Sequence, residues 1–192
     1  FHKVVDQHLW EDLVIKNASV IDGTGKQAFS ADVAIVASRI EKISQNIEQE
    51  SNRIIDASGL TLAPGFIDPH THSDLTLLVE PRAESKIRQG VTTEIIGNCG
   101  DSPAPLIGAA KHEAQAAAQD IGVDVSWTTM AEYREKLREK GTAVNVVPLV
   151  GHNTIRGGVL GYDDVQPSPQ QQDEMERRVE QAMEQGACGL ST

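Results

Sequence analysis

Pro81-Arg-Ala-Glu-Ser-Lys-Ile-Arg-Gln-Gly-Val-Thr-Thr-Glu-Ile-Ile96 reads as a helix, a single glycine and a run of β-branched residues. The same order recurs twice, as a helix over 130–140, Gly141 and a strand over 143–150, then a helix over 169–185, Gly186 and a strand over 187–190. Each glycine suits the left-handed position past a helix C-terminus, where a Cβ costs energy. The helix starts agree with the ends. Thr129-Met-Ala-Glu132 and Ser168-Pro-Gln-Gln171 have capping-box spacing, and Pro169 falls at the first helical position. In the last helix Met175, Val179, Ala182 and Met183 form an apolar stripe opposite Asp173, Glu174, Arg177 and Arg178, which is ordinary core packing. A strand over 66–70 precedes the series. Four strands joined by crossover helices imply a parallel sheet with right-handed connections, hence α/β architecture.

Outward toward the N-terminus, residues 13–67 change texture. Leu13-Val-Ile15, Val20-Ile21, Val33-Ala-Ile-Val36 and Ile54-Ile55 are apolar stretches separated by the turn signals Asp22-Gly-Thr-Gly25 and Asp56-Ala-Ser-Gly59. They predict a small antiparallel sheet or part of a β-sandwich over 1–63, with the α/β domain occupying 64–192. Between residues 97 and 128 lies a long insertion with a weak Ala-rich helical signal at 109–119. It leaves the C-terminal end of a strand, where α/β proteins place their sites.

Composition removes several function classes. With 17 Lys plus Arg against 28 Asp plus Glu among 192 residues, the net charge is -11, and no basic cluster offers a phosphate-binding surface. Nucleic acid and anionic membranes are therefore excluded as expected partners. The longest apolar runs, 34–37 and 146–150, fall far short of the ~20 residues that cross a bilayer. Two cysteines, Cys99 and Cys188, are too few for a disulfide scaffold and allow one bridge at most. The chain opens at Phe1 rather than Met. Any targeting segment is lost with its natural start, and the expected compartment is the cytoplasm or, after removal of a leader, the periplasm.

The strongest chemical signal is Gly65-Phe-Ile-Asp-Pro-His-Thr-His-Ser-Asp74. His70 and His72 are two apart at a strand end, so both imidazoles project the same way and can share one metal ion. Asp68 and Asp74 are placed to orient the rings. Pro69 is in tension with a strand reaching His70, because it has no N–H for a ladder. The second signal is Gly97-Asn-Cys-Gly100, immediately past the neighbouring parallel strand, which brings Cys99 toward His70 and His72. A thiolate is a good zinc ligand, although a free cysteine is as readily a small buried hydrophobe. His152 and Arg156 follow the third strand and have two readings, contact with a substrate carboxylate or acyl oxygen, or a hydrogen bond that stabilises a loop. His2, His8 and His112 read as surface residues, Trp127 and Tyr133 as packing residues.

Taken together, Asn17-Ala-Ser-Val-Ile-Asp-Gly-Thr-Gly25, the run from Leu62 to Asp74, Gly90-Val-Thr-Thr-Glu-Ile-Ile-Gly-Asn-Cys-Gly100 with Ala104-Pro105, residues 127–133, Gly151-His-Asn-Thr-Ile-Arg156 and Gly186-Ala-Cys-Gly-Leu-Ser-Thr192 resemble the amidohydrolase superfamily. Within it the resemblance is to the N-acyl-D-amino-acid deacylases, or D-aminoacylases. It implies the first half of a (β/α)8 TIM barrel preceded by β strands of a small β-sandwich domain. It further implies zinc held by His70, His72 and Cys99, and hydrolysis of N-acyl-D-amino acids to a carboxylate and a free D-amino acid. Two further His ligands and an Asp general base are expected beyond Thr192, so no catalytic base is expected within the chain.

Independently of any family, a closed barrel needs eight strands and about 250 residues, whereas four strand-helix units are present. A fragment of a longer enzyme, inactive without its C-terminal half, is therefore expected, the alternative being a half-barrel that dimerises. Two other functions stay open. A cyclic-amide amidohydrolase resembling dihydroorotases or hydantoinases would need a carboxylated Lys on the fourth strand, and Ala187-Cys-Gly-Leu-Ser-Thr192 has none. A non-catalytic half-barrel would retain the ligands and bind zinc weakly.

Overall fold

The computed structural model describes residues 12–48 and 51–192, so His2 and His8 lie outside the described residues. Two compact units divide the chain, Phe1–Pro64 and Gly65–Thr192.

The first unit is a five-stranded sheet of β1 (Leu13–Val20), β2 (Phe29–Val36), β3 (Arg39–Ser44), β4 (Ile54–Asp56) and β5 (Thr61–Leu62). β1 is central, antiparallel to β2 but parallel to both β4 and β5. The sheet is thus mixed, not antiparallel as the turn spacing suggested, because β4 and β5, four residues apart, both run alongside β1 in its own direction. Ala37 and Ser38, with φ of +46° and +64°, make a two-residue hairpin between β2 and β3. On one face Ala18, Val20, Ala31, Val33 and Ala57 are packed together. At the centre Asp32, buried, accepts the backbone N–H groups of Asn17 at 2.8 Å and Ile47 at 3.0 Å and pairs with Lys16 at 3.1 Å.

The second unit runs β6 (Phe66–Asp68), α1 (Thr76–Val79), α2 (Glu84–Ile87), β7 (Val91–Ile96), α3 (Gly108–Gln119), α4 (Met130–Lys140), β8 (Asn145–Pro148), β9 (Val150–Gly151), α5 (His152–Val159), α6 (Pro169–Glu184) and β10 (Leu190–Ser191). β6, β7 and β8 are consecutive parallel neighbours, and β9 pairs in parallel with β10. At Leu149 the ladder changes partner. Its N–H donates to Ile96 at 2.9 Å, while Val150 N–H donates to Gly189 at 2.9 Å. The order of four parallel segments is the one the sequence predicts.

Local chemistry explains the ends. Both capping boxes form, at Thr129 with Glu132 and at Ser168 with Gln171. Gly90, Gly141 and Gly186 have φ of +82°, +70° and +99°, as helix-ending glycines should. Differences are informative too. The helix expected over 81–89 is reduced to the single turn of α2, entered through Ala83 in the left-handed region at φ +45°. β6 stops at Asp68, where Pro69 removes the next ladder donor. The fourth strand pairs only at 190–191 rather than 187–190.

The helix-side core gathers Leu77, Ile96, Leu106, Trp127, Met130, Tyr133, Leu137, Val150 and Ile155. Trp127 donates its indole N–H to Pro103 O at 2.7 Å and packs on Tyr133 with ring centroids 5.5 Å apart, so both aromatic residues are core. Met175, Val179 and Ala182 of the α6 stripe meet this core, whereas Met183 stays 41% exposed at its margin. No described helix is long and apolar enough to cross a membrane.

Candidate metal centre

His70 and His72 follow β6 just past its last paired residue. The chain remains pinned to β7 there, since Thr71 N–H donates to Ile95 O at 3.2 Å and Thr71 Oγ1 donates to Glu94 Oε2 at 3.2 Å. Asn98 completes the hold, its Nδ2 donating to Thr71 O at 3.1 Å and to Ile95 O at 2.8 Å. With Thr71 fixed inward, the two flanking imidazoles turn outward together. Their ring centroids are 5.5 Å apart and tilted by 59°.

Cys99 arrives from the turn after β7. Its Sγ lies 3.1 Å from His70 Nε2 and 3.6 Å from His72 Nε2. The three ligand atoms lie within 4.8 Å of one another, the only such group of three among the described residues, and all three side chains are exposed. Tetrahedral zinc with Zn–S of about 2.3 Å and Zn–N of about 2.0 Å sets sulfur and nitrogen about 3.5 Å apart. The donor set and the two sulfur-to-nitrogen distances therefore fit a zinc-class ion.

The turn that delivers Cys99 is costly by itself. Cys99 has φ +58°, a left-handed conformation that costs a non-glycine residue on the order of 1 kcal/mol. Glycines on either side make it possible. A Cβ on Gly97 would sit 2.4 Å from Leu149 O, and one on Gly100 2.7 Å from the Asn153 side chain. Gly100 O in turn accepts the N–H groups of Asn153 at 2.8 Å and Thr154 at 3.2 Å in the first turn of α5.

The flanking carboxylates do not orient the rings as expected. Asp68 accepts Lys86 Nζ at 2.6 Å and His70 N–H at 3.3 Å, and the Lys86 ammonium holds its carboxyl below the usual range. Asp74 accepts Gly97 N–H at 2.8 Å, tying the two segments together, and burial pushes its carboxyl up. Tyr133, whose burial raises its phenol well above the usual value, donates to Asp74 O at 2.6 Å.

His152 and Arg156 lie on α5, an element the sequence does not signal. His152 is exposed at the end of β9 and lines a cavity of about 730 Å³ with Ile155, Leu190 and residues of α6. Arg156 donates to Gly161 O at 3.0 Å, Asp163 O at 2.8 Å and Val165 O at 2.9 Å, which is the loop-stabilising one of its two readings. Cys99 and Cys188 are both free thiols, without a bridge. His112 is exposed on α3. The supports Thr71, Glu94, Asn98 and Ser191 escaped the sequence reading, although Asn98 and Ser191 stand inside the Gly-Asn-Cys-Gly and Gly-Leu-Ser-Thr runs.

A parallel half-barrel with imidazole and thiol groups gathered past the C-terminal ends of its first two strands, where they could hold a metal ion, defines a class, and comparison with known proteins places the chain in it. Residues 53–192 match the sequence profile of the amidohydrolase family, and the chain belongs to that family. It is similar to the N-acyl-D-glutamate deacylase of Alcaligenes xylosoxydans xylosoxydans, with 40% identity over 183 residues covering 94% of this chain and 37% of the relative. The D-aminoacylase of the same organism is 38% identical, with 94% and 37% covered. Among solved structures, the N-acyl-D-glutamate deacylase of Bordetella bronchiseptica, complexed with zinc and a phosphonate mimic of the tetrahedral intermediate, superposes with a TM-score of 0.85 at 33% identity, covering 95% of this chain and 38% of that one. The chain thus spans little more than a third of the length of these relatives. Its architecture is the first half of a (β/α)8 barrel preceded by β strands of a small β-sandwich region.

Proposed function

We propose that the chain carries the metal-binding half of a zinc-dependent hydrolase that cleaves the amide of N-acyl-D-amino acids. One observation carries this reading: His70, His72 and Cys99 converge within 4.8 Å at the ends of two neighbouring parallel strands. Zinc bound there would supply Lewis acidity at the scissile carbonyl and lower the pKa of a coordinated water to about 7. The chain's own residues hold that position, with Thr71 and Asn98 fixing the histidine pair and the glycines around Cys99 admitting its turn. His152 is assigned to the substrate side, and Arg156 acts as the anchor of the 161–165 loop beside it. Residues 1–63 are read as strands of the sandwich domain and 64–192 as the opening barrel units. The remaining strands are to supply two His ligands and the Asp that moves the proton to the leaving nitrogen.

Linear amides are favoured over cyclic ones. The relatives named for deacylation are 38–40% identical over nearly the whole chain, and the segment from Ala187 to Thr192 has no Lys to bridge two metals. The test is hydrolysis of N-acetyl-D-glutamate, N-acetyl-D-methionine and their L-enantiomers by the full-length polypeptide, with metal content measured in parallel. Zinc-dependent turnover of the D-compounds is expected, with Cys99→Ala losing activity and most of its zinc. Retention of both by Cys99→Ala overturns the assignment. Turnover by the 192 residues alone would show that the further ligands are not required.

A further inference from the structure

We propose that Ser191 is a positioning residue that holds the Cys99 turn in ligand geometry; the inference rests on the metal-centre reading above. The turn from Gly97 to Gly100 has three residues at positive φ, Gly97 at +78°, Cys99 at +58° and Gly100 at +80°, and makes no regular ladder that would fix it. Its shape is imposed by neighbours. The Ser191 hydroxyl donates to Gly97 O at 2.5 Å and accepts from Gly100 N–H at 3.1 Å, bridging both ends of the turn that carries the thiol. Ser191 is delivered by β10, whose pairing with β9 sets its position beside the turn. Gly151, the ladder partner of Ser191, leaves room for the turn, since a Cβ there would fall 2.2 Å from Gly100 O. The Cys99 turn is therefore seated against β9 and clasped by one hydroxyl from β10. Only a small side chain that both donates and accepts can make the two bonds at once. Ser191 acts on the ligand through the backbone, so its removal loosens the thiol without deleting a donor. Supports of this kind typically change metal affinity 10–100-fold.

The experiment is a Co²⁺ titration of the full-length polypeptide, read by the near-ultraviolet thiolate-to-cobalt absorption and the visible ligand-field bands, with thermal melting alongside. Ser191→Ala is expected to weaken Co²⁺ binding about 10–100-fold and to diminish the thiolate band. The nearly isosteric pair Ser191→Thr and Ser191→Val separates hydroxyl from shape: Thr is expected to restore affinity and band, Val to behave as Ala. This pair decides the matter if the alanine variant does not fold. Unchanged affinity and spectrum in Ser191→Ala, or Thr binding no better than Val, overturns the positioning role. Failure of the underlying reading looks different, because Cys99→Ala would then keep the wild-type spectrum.

Discussion

At the scale of single residues, the site depends on a few atoms that have no room to move. Gly97 is the sharpest case. A methyl group at this position meets the Leu149 carbonyl at 2.4 Å and imposes a side chain on φ +78°. Gly97→Ala is expected to destabilise the fold by about 1–3 kcal/mol and to displace Cys99. Urea unfolding with a midpoint equal to wild type would contradict the close approach. Buried Glu94 is the other telling residue, a carboxylate on a strand with no exposed surface, one oxygen accepting from Thr71 and the other without a partner among the described residues. Its alternation with Thr92 and Ile96 was readable, but which face of β7 meets the helices was not. That is a property of the neighbouring layers.

Elements repeat the lesson with different chemistry. α4 and α6 were legible because caps and terminal glycines are encoded within a few residues of each end. Removing the Thr129 cap in Thr129→Ala should cost about 1 kcal/mol, seen as a lower denaturation midpoint with an unchanged m-value. β3 was not legible, since its hairpin uses Ala37-Ser38 at positive φ rather than the Asn-Gly or Asp-Gly that signals such a turn. α5 was hidden because its sequence contains Gly157 and Gly158, poor helix formers, and closes against the loop through Arg156. Arg156→Ala removes three donors from the 161–165 backbone. Limited proteolysis should then cut that loop faster, and an unaltered cleavage rate would show the anchor to be idle.

For the molecule as a whole, charge and unpaired edges set its behaviour. Burial alone would raise the Asp32 carboxyl, but the N–H groups of Asn17 and Ile47 and the Lys16 ammonium outweigh it, so the carboxyl is held below its ordinary value of 3.8. Its contribution to stability is therefore fully present above that value and lost as pH falls through the folded-state pKa. Asp32→Asn should flatten the acid side of the stability profile of the first unit. An acid limb as steep as wild type would remove Asp32 from that role. In the second unit β6 and β10 each pair on one side only among the described residues, leaving Phe66 and Ile67 62% exposed and Leu190 51% exposed. Light scattering of the 192-residue chain should show concentration-dependent association that Ile67→Lys reduces.

The amino-acid sequence alone determined the helix-glycine-strand rhythm, the metal-capable His70, His72 and Cys99, and the fold class, because caps, alternation and ligand types are written in near neighbours. Tertiary structure decided the rest: that Arg156 spends its donors on a loop, that Asp68 and Asp74 serve Lys86 and backbone amides rather than the imidazoles, and that Ser191 reaches the Cys99 turn from more than ninety residues away. A hydrogen bond across such a separation is set by which strands lie side by side, and no local pattern records that.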